Sequence, residues 1–156
     1  MPVKKTRPSS FWSMMCHLSS LLGFLIPGAS LIAPLIIWGM KREQDSLINK
    51  NGQNVINFVL SFWVYSLVFF LIVGLFLLGI SVFFDSGHSP NGIVPLFLGG
   101  GLFSLAYLVS YFLAHLALPI YGGIKALNAE VYRYPLTISF LKEPSANLTG
   151  GKSSAK

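Results

Sequence analysis

The sequence predicts an all-α integral membrane protein, a broken N-terminal helical hairpin followed by two long transmembrane helices. Three observations carry that prediction. Residues 51–84 contain no Asp, Glu, Lys or Arg and are mostly Leu, Val, Phe and Ile. Residues 93–124 are equally free of those four residue types. Across all 156 residues 53% are hydrophobic and only 10% are charged, whereas soluble domains carry about 25% charged residues. A helix that is apolar on all sides is not a surface helix of a soluble domain. At 1.5 Å per residue, roughly 20 residues cross a hydrocarbon core of about 30 Å, so each long run is sufficient for one crossing.

Composition also excludes several function classes. The net charge of +6 could suggest nucleic acid, but the basic residues form no patch with interleaved aromatics. They cluster at segment ends, as juxtamembrane anchors do, and no nucleic-acid partner is expected. Cys16 is the only cysteine, so no internal disulfide can form. His17, His88 and His115 are scattered without metal-ligand spacing, and no CxxC, HExxH, GxGxxG or Walker pattern occurs. No metal, cofactor or enzymatic activity is expected.

In chain order, residues 1–10 read as a flexible basic lead with Lys4, Lys5 and Arg7. With the apolar run 11–26 they resemble a signal peptide. Pro27-Gly28-Ala29 is a poor cleavage context, however, and another apolar segment follows at once. Pro27-Gly28 divides 11–40 into two pieces, each short for a crossing, and Pro34 shortens or kinks the second. Lys41, Arg42 and Lys50 mark the next connection, and Lys125, Arg133 and Lys142 follow the last apolar run. The loop 85–92 has neither Lys nor Arg. Positive residues mark the cytoplasmic side, so 11–40 must go in and return. It is either a re-entrant hairpin or two short tilted crossings, the hairpin being preferred. Both termini are then cytoplasmic. Asn51-Gly52 is a turn signal, and the first long helix is expected near it, over 51–84. The last helix is expected over 93–131, then an interfacial segment 132–141 with a turn at Pro135, within one membrane domain 11–141. Residues 142–156 read as a disordered tail. Asn147-Leu148-Thr149 fits a glycosylation pattern that a cytoplasmic tail would leave unused.

Polar residues inside the apolar runs are the candidate functional groups, because such groups are costly in lipid. Asn54, Asn57, Ser61 and Tyr65 recur at spacings of three or four and share one helix face. Ser104, Tyr107, Tyr111 and His115 do the same on the last helix. Ser61 and His115 lie at similar distances from the basic collars, so the two faces are placed to meet. They would line a polar path or hydrogen-bond to each other as glue. Gly74 and Gly79, with Gly99, Gly100 and Gly101, would let the outer halves of the two helices pack closely. Cys16 has no evident base and reads as a packed residue; cytoplasmic-side palmitoylation is a weaker reading. His17 could titrate near neutral pH or be packed. Glu130 and Arg133 are spaced as a solvated ion pair.

Four separated motifs resemble one family. They are Met15-Cys16-His17-Leu18-Ser19 with Pro27; Ala33-Pro34-Leu35-Ile36-Ile37-Trp38; Asn51-Gly52-Gln53-Asn54-Val55-Ile56-Asn57-Phe58; and Ile124-Lys125-Ala126 with Glu130-Val131-Tyr132-Arg133-Tyr134-Pro135-Leu136. In this order they are similar to a small bacterial multi-pass membrane-protein family of unknown function. That family is related to the twenty-kilodalton channel component of the chloroplast inner-envelope protein import translocon. The resemblance implies an α-helical protein of the bacterial inner membrane, and a role in protein translocation or a channel-like assembly. Its partners would be the lipid bilayer and either other membrane proteins or further copies of itself. A membrane scaffold or regulator is the alternative.

Overall fold

The computed structural model describes residues 8–26, 28–85 and 93–141. The expectations for the lead 1–7, Pro27, the loop 86–92 and the tail 142–156 fall outside those residues. Within them the chain is helical and contains no strand: α1 (Pro8–Ser19), a 3-10 turn (Ser20–Phe24), α2 (Ala29–Lys41), α3 (Ser46–Asp85) and α4 (Ile93–Leu127). Residues 128–141 follow without regular structure.

α1 and α2 form the broken hairpin. Trp12 on α1 lies beside Lys41 on α2, the ammonium 4.8 Å from the ring centre, so both arms meet at the basic collar. Gly28 adopts φ 85° ahead of α2, and its carbonyl accepts the first amides of that helix. Such a left-handed conformation suits glycine. Gly23 lies so close to Ser30 that a Cβ there would stand 2.6 Å from the serine Cβ. At the tip, Leu25 and Ile26 are exposed, and Phe24 packs on Phe112 and His115. The tip therefore reaches the middle of α4, not its far end. Pro34 sits inside α2 without ending it.

α3 begins at Ser46, five residues before the turn signal at Asn51-Gly52. Asp45 starts it, because its carboxylate accepts the Leu47 amide at 2.8 Å and so satisfies an orphan donor of the first turn. Gly52 lies inside the helix against the indole of Trp38, which occupies the space a Cβ would need. α4 ends at Leu127, short of the expected 131. Ala129 takes φ 62°, the Glu130 amide bonds back to the Lys125 carbonyl, and the Ala129 amide to that of Ala126. This is the Schellman arrangement that closes helices.

Both long helices are long and apolar enough to cross a membrane, and their most apolar windows are only 11% and 6% buried. A soluble core helix would be covered. At 40 and 35 residues they run to about 60 and 52 Å, well beyond a hydrocarbon core of about 30 Å. One end of each therefore projects past the core. α1 is wedged between α3 and α4 at the collar end, where Cys16, Val55, Phe58, Val59 and Tyr134 form the buried core. Toward the other end the long helices touch mainly through rings, with Phe69 stacked on Tyr107 at 3.7 Å.

Candidate functional site

One face of α3 carries Asn51, Asn54, Asn57, Ser61 and Tyr65, and its polar atoms meet backbone rather than α4. Segment 130–141 crosses it as a strap. Asn51 Nδ2 donates to the carbonyls of Leu47 and Glu130 at 3.1 and 3.2 Å, and its Oδ1 accepts the Tyr132 amide at 3.0 Å. Asn54 Nδ2 donates to the Tyr132 carbonyl at 2.7 Å. Asn57 takes both backbone groups of Leu141, donating at 3.0 Å and accepting at 2.8 Å, as a neighbouring strand would. The Ser61 hydroxyl accepts the Ile138 amide at 2.8 Å, and the Tyr65 hydroxyl donates to the Leu136 carbonyl at 2.6 Å. The cause is a requirement of the backbone. A strap without helix or sheet has amides and carbonyls that need partners wherever water is scarce.

His17 closes the arrangement from α1. Its Nε2 stands 3.1 Å from Asn51 Oδ1, and its Nδ1 stands 2.6 Å from the Tyr134 hydroxyl. Asn51 has committed its amide nitrogen to two carbonyls, so its oxygen faces the imidazole and Nε2–H donates to it. In the neutral ring Nδ1 is then the acceptor, and the Tyr134 hydroxyl donates. Tyr134 lies outside both spanning helices. Burial, then Tyr132 and Cys16, hold its phenol well above its ordinary value, which keeps that donor in place. The Tyr134 ring stacks on Phe58 at 4.1 Å. Gly122 leaves room for this group, since a Cβ there would lie 2.7 Å from His17 Nδ1.

The polar residues of α4 sit differently. The Tyr107 hydroxyl is 3.2 Å from Ser66 Oγ. Tyr111 stacks on His115 with rings 3° from parallel. His115 is 4% exposed and lies among Phe24, Phe58 and Phe62. Its Nδ1 has no hydrogen-bond partner among the described residues. So the two faces share a depth, as the spacing suggested, but rings of Phe58 and Phe62 lie against His115 while the α3 polar atoms hold the strap. Ser104 is half-buried.

Other expectations shift too. Glu130 pairs with Lys125 at 2.8 Å rather than with Arg133, because the Schellman turn folds it back over the last turn of α4. A Cβ on Gly74, Gly79, Gly99 or Gly101 would meet nothing within 4 Å, and only Gly100 has a close neighbour, Phe76. The other close approaches occur at Gly23, Gly52 and Gly122, all outside the stretches the glycine pattern suggested. Cys16 is buried and free, and the ring nitrogens of His17 are taken by Asn51 and Tyr134, so the adjacent pair does not form a thiol–imidazole couple. Trp38 donates to Asn49 Oδ1 at 2.9 Å, and Arg42 lies over its ring. Pro34 is fully buried and Pro135 opens the turn to Leu136. Among the described residues no three His, Cys, Asp or Glu side chains are grouped to hold a metal. Sequence reasoning missed Asn51 as the centre of the network, although it extends the Asn54–Asn57 face by one turn. It also missed the cavity between Lys50 and Arg133.

No curated protein and no solved structure matches the chain, and no finding supports the relation to the chloroplast import translocon that the motifs suggested. What is borne out is a small bacterial membrane-protein family. A family model matches residues 9–141, a stretch that contains every motif from Met15 to Leu136, and the chain belongs to that family, MamF/MmsF, described as the magnetosome magnetite crystal formation protein family.

Proposed function

We propose that this chain is a non-enzymatic component of the magnetosome membrane, and that it contributes to magnetite crystal formation as a scaffold binding lipid and other membrane proteins. Family membership supports the setting. One observation carries the scaffold reading: Asn51, Asn54, Asn57, Ser61 and Tyr65 of α3 are taken by the backbone of 130–141, so they serve to fix a surface. The outer halves of α3 and α4 present Leu67, Leu71, Leu78, Leu98, Leu102 and Leu105 outward, to lipid or to partner helices. The basic collars support a topology with both termini on the cytoplasmic side and 11–40 as a re-entrant hairpin. Deleting the gene in a magnetite-forming host tests the reading. Altered crystal size or number, with the tagged protein in a carbonate-resistant magnetosome fraction, is expected. Unchanged crystals, or protein that washes off, contradict it.

A second reading is a translocation or channel-like assembly with a polar path along Asn54, Asn57, Ser61, Tyr65, Tyr107, Tyr111 and His115. The buried Nδ1 of His115, without a hydrogen-bond partner among the described residues, favours it. Conductance of the reconstituted chain would support this path. A stable co-purifying membrane partner without conductance supports the scaffold.

A further inference from the structure

Between α3 and the strap lies a cavity of about 350 Å³. Lys50 and Gln53 line it from α3, and Arg133, Thr137 and Ser139 from the strap. Leu141, the last described residue, also belongs to its wall. Leu141 is fixed there, because Asn57 takes both its backbone groups, at 3.0 and 2.8 Å. The residues that follow therefore set out from the cavity itself. Lys50 already has an interaction outside the described residues, so its charge is not available to a free ligand. Of the chain's five Asp and Glu, Glu43, Asp45, Asp85 and Glu130 belong to the described residues, and Glu143 is the fifth. Glu143 stands two positions past Leu141. Two extended residues span at most about 7 Å, so its carboxylate is within reach of the cavity. Glu130, the described carboxylate nearest to it in sequence, pairs with Lys125. Arg133 makes no ion pair with the described residues and adds a second positive charge to the same wall. A carboxylate tethered this close meets those cations at a high effective concentration, which an untethered anion does not have.

We propose that this cavity is the seat of the chain's own next segment: Glu143 enters it and pairs with Lys50, with Arg133 facing the same carboxylate. The pair latches the end of the strap onto α3, so it guards the Asn57–Leu141 contact rather than the Asn51–Tyr132 contact. The latch rests on the strap geometry and not on the role in crystal formation. Its test begins with carbodiimide coupling of the purified full-length chain in a neutral detergent, read by mass spectrometry. An amide link between Lys50 and Glu143 is expected, beside a Lys125–Glu130 link as the internal control. The control link without the first, or Lys50 linked to another carboxylate instead, overturns the proposal. The second measurement is hydrogen exchange at the Leu141 amide. Lys50→Glu and Glu143→Lys are each expected to speed it about threefold, the size of an exposed ion pair. The two substitutions together should restore the wild-type rate. Exchange at the Tyr132 amide, held by Asn51, should stay unchanged in all three variants, which also reports that they fold. Unaltered exchange at Leu141 in both single variants, equal acceleration at Tyr132, or no recovery in the double variant overturns the proposal.

Discussion

Among the described residues, Ala129 and Leu136 stand in the left-handed region without being glycine. A Cβ there costs roughly 1–2 kcal/mol. Ala129→Gly should therefore stabilise the fold, by about 0.5–1 kcal/mol after the added freedom of the unfolded chain is counted. Thermal unfolding in detergent measures this; a lower midpoint would contradict the Schellman closure of α4. Tyr134 gives a pH-dependent prediction. Its phenol is raised in the fold above an ordinary value near 10, so the neutral form is favoured there. The stability this contributes is complete below pH 10 and is lost as pH rises from 10 toward the folded value. Tyr134→Phe should cost about 1–3 kcal/mol at neutral pH, because His17 Nδ1 loses its donor in a buried site. It should also flatten the fall in stability above pH 10, and equal alkaline slopes in both proteins would contradict it.

At the scale of elements, periodicity made the two long helices and the hairpin legible, because uncharged runs and breakers report directly on burial in lipid. Their ends were less so. The turn signal at Asn51-Gly52 lost to a cap at Asp45 and to the Trp38 ring, a partner 14 positions earlier in the chain. Glycines were misleading for the same reason, since composition does not say which of them has a neighbour. Gly52→Ala and Gly122→Ala should each destabilise by about 1–3 kcal/mol through overpacking. Gly74→Ala and Gly79→Ala should change stability by at most about 1 kcal/mol, in the favourable direction by helix propensity. Reversal of that order in detergent melts would mean that the close approaches lie in the outer half. The spacing of Asn54, Asn57, Ser61 and Tyr65 correctly placed them on one face. It could not name what they bond to, because the strap's need for partners is a property of backbone rather than of side-chain type.

For the whole molecule, the collar, the start of α3, the end of α4 and the strap converge at one end, joined by Asn51 to Tyr132 and by Lys41 to Trp12. Reporter fusions at residue 44 and after residue 141 should therefore report the same side of the membrane, and opposite sides would dismantle the arrangement. The lipid-facing halves of α3 and α4 hold few polar contacts, so the stability of the isolated chain resides at the collar end. The outer halves are where a partner helix would add most. The strap seals the polar face of α3. Ser61→Cys in a Cys16→Ala background, treated with a membrane-impermeant thiol reagent in right-side-out and inverted vesicles, measures it directly. The predicted result is no labelling from either side until the protein is denatured, with Ser139→Cys labelled promptly as the exposed control. Rapid labelling of position 61 in native vesicles would contradict the sealed face and favour an open polar path.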